Sequence, residues 1–234
     1  MGWLAGLDGC RGGWVCVLEE EQTGRVEALI LPRVEGLVGL AEVPELVAVD
    51  IPIGLPEAGP RLCDRAARRL LGPGRGGSVF PAPIRGMLAA ASYAQACEIG
   101  LARDGRKLSR QTWNILPKIR EVDAFVRGGG GRADWVWEVH PELCFQQRAW
   151  GQPLRYGKKS DQGRAEREGL LEAGERRAFG RLLRGLAGGP WARDDLLDAF
   201  AALGAARRIR RGEAQVLPET GQCDGCGLPM RIAF

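Results

Sequence analysis

Two short apolar runs end in aspartate, LAGLD at residues 4–8 and LVAVD at residues 46–50. Each run has the length and composition of a buried strand. In open α/β folds, ligands bind outside the carboxyl ends of the strands, which is where Asp8 and Asp50 would lie. One such aspartate is equally well explained as the cap of the following turn. The same placement on two strands favours a ligand site.

The first third of the chain is predicted to be rich in strands. An antiparallel meander is expected from strands at 3–8, 14–18 and 25–31. A short amphipathic segment at 34–41 then leads to the strand at 46–50. Because a helix-like crossover precedes it, this fourth strand is expected to lie parallel beside the first. Asp8 and Asp50 would then be neighbours at one sheet edge, and such a carboxylate pair can hold a hard, oxygen-binding cation.

The rest of the chain reads mainly as helix, and we expect one domain over 1–234 with a helical insertion at about 57–132. A fifth strand is expected at 135–140 and a final edge strand at 228–234. Pro117 predicts a kink or two short helices within its segment. Helical spacing is found at 61–71, 87–102, 109–126, 141–150, 162–171, 175–186 and 194–211.

The last of these helices carries two further acidic residues. Asp195 and Asp198 are three positions apart and therefore share a face of the first turns. An acid at a helix N-terminus complements the helix dipole, which accounts for Asp194 or Asp195 without a ligand. Asp198 lies among apolar residues, where a solvated acid gains little. A metal ion or an arginine partner would explain it.

These features together resemble the ribonuclease-H-like fold, and the late helix is similar to that of Holliday-junction resolvases. More specifically, the chain resembles the family called domain of unknown function 429, which consists of predicted ribonuclease-H-like nucleases. The resemblance covers nearly the whole chain. The segments that carry it are LDGCRGGW at 7–14, DIPIGLP at 50–56, SVFP at 78–81, PKIREVD at 117–123, EVHPE at 138–142, KKS at 158–160 and DDLLDA at 194–199.

The resemblance implies a five-stranded mixed sheet in the order 3-2-1-4-5, with helices on both faces and a helical insertion. It also implies metal-dependent phosphodiester hydrolysis, for which two Mg²⁺ or Mn²⁺ ions roughly 4 Å apart would neutralise the phosphoryl group and activate water. Ribonuclease H has a glutamate on its first helix that has no convincing counterpart here, and Glu138 is the expected substitute. The expected metal ligands are Asp8, Asp50, Glu138, Asp195 and Asp198.

His140 is the single histidine of the chain and follows Glu138 by two residues, so both would point to one face of a strand. A lone histidine most often has a structural role. At a strand end beside a carboxylate, it could instead protonate a leaving group or orient a water molecule.

Basic residues within or shortly after the matching segments are expected to contact phosphate or carboxylate groups of a substrate. Solvated surface residues are the alternative reading for each of them. The predicted substrate-binding set is Arg11, Arg85, Lys118, Lys158 and Lys159.

Composition sets further bounds. The net charge of +4 and the pI near 8.8 permit a polyanionic partner without requiring one. Seven irregularly spaced cysteines do not form a disulfide framework, so a reducing cytoplasm is expected. Cys223 and Cys226 resemble half of a zinc knuckle whose other ligands are missing. No apolar run of 18 residues is present, so membrane insertion is not expected.

Three classes of function remain open from the sequence. The first is a metal-dependent nuclease or phosphodiesterase, acting on nucleic acid (single-stranded or branched, if the insertion covers the site) or on a small phosphoester. The second is an ATP-handling enzyme of the actin-like type, which needs duplicated halves for which the chain is short. The third is a binding or regulatory protein that retains the fold without nuclease activity. The oligomeric state is not predicted.

Overall fold

The computed structural model describes residues 2–129, 132–186 and 190–234. A five-stranded sheet has the order β3-β2-β1-β4-β5. Its strands are β1 (Trp3–Cys10), β2 (Gly13–Glu20), β3 (Val26–Leu31), β4 (Leu46–Val49) and β5 (Val136–Glu138). The strands β1, β2 and β3 pair in an antiparallel manner, whereas β4 lies parallel to both β1 and β5. Helices cover both faces of the sheet. The predicted strand order and α/β class are therefore confirmed.

The helices follow the predicted segments closely, and two further short strands lie near the end of the chain. The α-helices are α1 (Leu62–Arg75), α2 (Tyr93–Asp104), α3 (Arg110–Arg127), α4 (Arg132–Trp135), α5 (Pro141–Arg148), α6 (Asp161–Gly169), α7 (Ala173–Gly185) and α8 (Arg193–Arg211). The 3-10 helices are Val34–Gly39, Gly76–Ser78 and Arg85–Ala89, and the short strands are β6 (Val216–Leu217) and β7 (Ile232–Ala233).

The chain divides into two compact units. Unit 1 consists of Met1–Ile51, Asp134–Gln215 and Ala233–Phe234, and it contains the five-stranded sheet. Unit 2 consists of Pro52–Ala133 and Val216–Ile232. Nearly all of the stretch predicted as an insertion thus lies in unit 2, together with residues from near the C-terminus.

Helix α8 is the element of unit 1 that packs most directly on the sheet. It contacts β1, β2 and β4, and its segment from Leu196 to Ala206 is buried. Gly6 allows this close approach, because a Cβ atom there would lie 2.2 Å from both the Ala199 carbonyl oxygen and the Leu203 nitrogen. Any larger residue at position 6 would push the helix away from β1.

Unit 2 contains α1, α2 and α3, and two details there differ from the sequence prediction. The helix expected from 87 begins only at Tyr93, because the Ser92 hydroxyl accepts a hydrogen bond from Gln95 N and caps α2 there. The division into two helices at Pro117 is wrong, since α3 is one helix whose apolar face, including Leu116 and Ile119, is buried.

The third difference concerns the end of the chain. The predicted edge strand at 228–234 is reduced to the two residues of β7.

No helix among the described residues is long and apolar enough to cross a membrane.

Candidate functional site at the carboxyl edge of the sheet

Three aspartates converge in unit 1 at the carboxyl ends of β1 and β4. Asp8 lies in β1, Asp50 directly follows β4, and Asp198 lies in α8. One carboxylate oxygen from each residue lies within 4.8 Å of the other two. Asp8 and Asp198 are buried and Asp50 is half-buried. We call this group the aspartate triad.

The register of the sheet explains why Asp8 and Asp50 meet. Gly6 pairs with Ala48 and Leu7 with Val49 in the parallel ladder, and the Asp50 amide donates to the Leu7 carbonyl over 3.1 Å. Continuing that ladder by one residue places Asp50 level with Asp8. Because side chains alternate along a strand, Asp8 shares the face on which Gly6 admits α8. The helix therefore delivers Asp198 to the same place.

A lysine completes the charged group. The Lys158 ammonium lies 2.7 Å from Oδ2 of Asp198 and forms an ion pair with it. The Asp198 side chain is only 2% exposed, whereas that of Lys158 is 43% exposed. Lys158 lies in the turn before α6, whose first residues are fixed by a hydrogen bond from Gly163 N to the Ser160 hydroxyl.

The carboxyl groups of the aspartate triad are difficult to ionise together. Burial and the neighbouring Asp198 and Asp50 carboxylates raise the pKa of Asp8 well above its usual value. Burial raises the pKa of Asp198 to about 6, although the Lys158 ammonium opposes this change. Burial also raises the pKa of Asp50, against the effects of His140 and Lys158. Conversely, the surrounding carboxylates, Asp198 first, raise the pKa of Lys158 and outweigh the effect of its burial.

The triad has fewer hydrogen-bond donors than buried carboxylates normally receive. Within the described residues, no donor reaches the carboxylate of Asp8, which is 8% exposed. Buried carboxylates are costly unless they are paired, hydrogen-bonded or bound to a metal. An all-oxygen donor set of this kind suits a hard divalent cation such as Mg²⁺ or Mn²⁺. The residues therefore fit the predicted class of ion.

Two of the predicted ligands lie outside the aspartate triad. Glu138 is aligned with Val49, so the alternation of side chains directs it to the face opposite Asp8 and Asp50. Asp195 lies one turn before Asp198, and its Oδ2 accepts a hydrogen bond from Ala192 N at the start of α8. The Asp195 carboxylate still raises the pKa of Asp8, although its effect is smaller than those of Asp198 and Asp50.

The start of α5 contributes groups near Asp50. His140 is the residue preceding this helix, and its charge lowers the pKa of Asp50. Glu142, in the first turn, acts in the opposite direction on both Asp50 and Asp198. Glu142 is buried and forms an ion pair with Arg167, while its Oε2 has no hydrogen-bond partner among the described residues.

Glu142 was not among the residues predicted for the site. The available signal was its position in the segment EVHPE, in the first turn of a helix that follows a sheet strand. Its pairing with Arg167, twenty-five residues later, could not be read from the sequence.

The remaining predicted basic residues are distributed over both units. Arg11 is exposed in the turn between β1 and β2, and Lys159 is exposed beside Lys158. Arg85 and Lys118 belong to unit 2. There the Arg85 guanidinium binds Asp123 and Asp224.

The Cys223 and Cys226 thiols are both exposed in unit 2, whereas the other five cysteines are buried. Among the described residues, neither thiol is part of a group of three or more metal-binding side chains.

Comparison with known proteins gives one result. No curated protein and no solved structure matches the chain. A family model does match over residues 6–222, which includes every member of the aspartate triad and Lys158. The chain therefore belongs to the family described as "Protein of unknown function (DUF429)".

Proposed function

We propose that this protein is a divalent-metal-dependent phosphodiester hydrolase whose active site is the aspartate triad. The observation that carries the proposal is the convergence of three largely buried carboxylates, from two neighbouring strands and one helix, within 4.8 Å. A structural role alone does not account for this arrangement, because burial and the neighbouring carboxylates raise the pKa of Asp8 while no donor within the described residues reaches its carboxylate.

Asp8, Asp50 and Asp198 would hold Mg²⁺ or Mn²⁺ through their carboxylate oxygens. A bound divalent ion supplies charge neutralisation at a phosphoryl oxygen and lowers the pKa of a water molecule. The chain itself contributes the placement of these oxygens. Asp8 occupies the central strand, with Asp50 beside it and Asp198 above it on α8, so that the ligands are fixed by the sheet register and not by mobile loops.

Lys158 and the start of α5 would serve the substrate. The Lys158 side chain is partly exposed, so its ammonium group can donate a hydrogen bond to a phosphate oxygen that approaches from the solvent. His140, whose charge acts on Asp50, is the group for proton transfer to the leaving oxygen. The substrate class is a phosphodiester, either in nucleic acid or in a small molecule, and the basic pI is compatible with both.

The test combines metal binding with hydrolysis. Calorimetry should show Mn²⁺ or Mg²⁺ binding by the wild type and its loss in Asp8→Asn, an isosteric change that removes a charge. A panel of single-stranded, duplex and branched nucleic acids together with a small phosphodiester should be cleaved with Mg²⁺ or Mn²⁺, but not with Ca²⁺ alone, since Ca²⁺ accepts loose coordination. Asp8→Asn and Asp198→Asn should each lower the rate by about a thousandfold or more.

Asp194→Asn is the matched control, because it makes the same change in the same helix at a residue outside the triad. It should retain both metal affinity and rate. Metal binding without cleavage of any substrate in the panel would refute the hydrolase and leave a metal-binding protein. An absence of metal binding would refute the site itself.

A further inference from the structure

We infer that Lys158 takes the place of a second metal ion, so that the aspartate triad binds one divalent cation and not a pair. This inference rests on the proposed function. It replaces the two-ion arrangement expected from the resemblance with an arrangement of one metal ion and one ammonium group.

The charges of the site favour a single ion. With all groups ionised, the triad carries three negative charges and Lys158 one positive charge, which leaves two negative charges. One divalent cation neutralises that remainder. A second divalent cation would leave a surplus of positive charge beside an ammonium group that already contacts Asp198.

Two further acids near the triad do not change this balance greatly, and His140, whose charge lowers the pKa of Asp50, can only add positive charge. Glu142 is paired with the buried Arg167, so the pair adds no net charge. Asp195 is engaged with the backbone of Ala192, where the positive end of the helix dipole partly offsets its charge.

The ligand geometry leads to the same conclusion. Two ions need a bridging carboxylate and further oxygens on each side. Of the five predicted ligands, Glu138 faces the opposite side of the sheet, and Asp195 lies outside the triad. The Lys158 ammonium, 2.7 Å from Oδ2 of Asp198, occupies an oxygen that a second ion would use.

Lys158 then has a direct electrostatic role. A phosphate bound at the triad would contact the divalent ion on one side and the Lys158 ammonium on the other. The ammonium donates hydrogen bonds and forms no covalent bond, so no further reactant is needed. Lysine suits this position because its charge is compact and carries three rotatable donors.

The experiment counts Mn²⁺ ions on the 234-residue protein without substrate, by calorimetry and by electron paramagnetic resonance. The wild type should bind one Mn²⁺ per chain and show the spectrum of an isolated ion. Lys158→Met removes the charge and keeps an unbranched side chain. It should bind the first ion about tenfold more tightly or better, and it should take up a second ion whose exchange coupling alters the spectrum.

Two matched variants separate charge from other effects. Lys158→Arg keeps a cation at the site and should retain one ion per chain. Lys159→Met makes the same change at the neighbouring exposed lysine and should leave ion number and affinity as in the wild type.

The possible outcomes distinguish this inference from the proposed function. A coupled pair of ions in the wild type would overturn the role of Lys158 and leave the metal site standing. A single ion with unchanged affinity in Lys158→Met would overturn it as well. If the wild type binds no Mn²⁺, the proposed metal site fails and the inference fails with it.

Discussion

Asp224 in unit 2 and the aspartate triad in unit 1 are buried in opposite ways. In unit 2, Asp224 accepts hydrogen bonds from the backbone nitrogens of Leu55, Cys226 and Leu228 over 2.8–2.9 Å, and it also pairs with Arg85. Burial acts to raise the pKa of Asp224, but these donors outweigh it and hold the pKa below the usual value. In unit 1, burial raises the pKa of every member of the aspartate triad, and repulsion from other triad carboxylates adds to this rise for Asp8 and Asp198.

This difference separates a structural carboxylate from a candidate for ligand binding. The Asp224 carboxylate fixes a loop, since its negative charge is matched by donors from three backbone positions and one guanidinium. The triad concentrates three carboxylates around one partly exposed lysine, which leaves negative charge that a proton or a bound cation would balance. Burial alone therefore does not distinguish a candidate functional carboxylate from a structural one. The number of hydrogen-bond donors and cations around the carboxylate does.

The largest effect on stability should come from Asp224→Asn. An amide cannot replace a carboxylate that accepts from four donors, and Arg85 would lose half of its pairing. Breaking a buried ion pair on one side costs about 3–5 kcal/mol, and urea unfolding should show a loss of that order.

The control is Asp161→Asn, because the Asp161 side chain is 95% exposed. Its effect should stay within about 1 kcal/mol, as for other exposed ion pairs. If Asp224→Asn lowered the free energy of unfolding no more than this control, the contrast between Asp224 and the aspartate triad would be lost.

The next effect concerns pH in the metal-free protein. The pKa of Asp198 is raised to about 6 in the folded state, against about 3.9 in an unfolded chain. The folded state therefore binds the proton more tightly, and this group's contribution to stability falls as the pH rises from about 4 to 6. Unfolding free energies of the wild type in chelator, compared with Asp198→Asn, should reveal a difference that declines by about 2–3 kcal/mol over this range.

For Asp224 we expect the opposite dependence of stability on pH, because its pKa is lowered in the folded state. Its contribution is present at neutral pH and is lost as the pH falls through the lowered pKa. The result that would contradict the raised pKa of Asp198 concerns the difference in free energy of unfolding between the wild type and Asp198→Asn. That difference would have to grow in favour of the wild type between pH 4 and 6.

The smallest expected effect is the change in stability caused by Asp8→Asn in the metal-free protein. Its sign is the most informative of the three. At a pH high enough to ionise all three carboxyl groups, removing one of three like charges should stabilise the protein by at least about 1 kcal/mol, since unit charges a few ångströms apart repel by several times that amount at an effective dielectric constant near 20. Thermal unfolding in chelator should show a higher midpoint for the variant. Adding Mn²⁺ should then stabilise only the wild type. A destabilised Asp8→Asn would place Asp8 with Asp224 as a structural carboxylate.

Much of this molecule was predictable from local patterns. The alternation and turns at 3–31, the crossover before 46–50 and the apolar runs ending in Asp8 and Asp50 determined the order and direction of β1 to β4, whereas the place of β5 followed from the family resemblance. Asp198 was identified because an acid inside an apolar helical stretch conflicts with its surroundings. Each of these inferences depends on residues close together in the chain.

The composition of the site depended on contacts that no local pattern contains. A shift of one residue in the pairing of β4 with β5 would have turned Glu138 toward Asp50, and only the three-dimensional ladder shows that it faces away. The pairing of Lys158 with Asp198 joins residues forty positions apart, and that of Glu142 with Arg167 joins residues twenty-five apart. Sequence determined which residues are acidic and where the strands end, because these follow from residue type and periodicity. Tertiary structure decided which carboxylates share a site and which cation balances them, because register and helix approach place side chains that are distant along the chain within a few ångströms of one another.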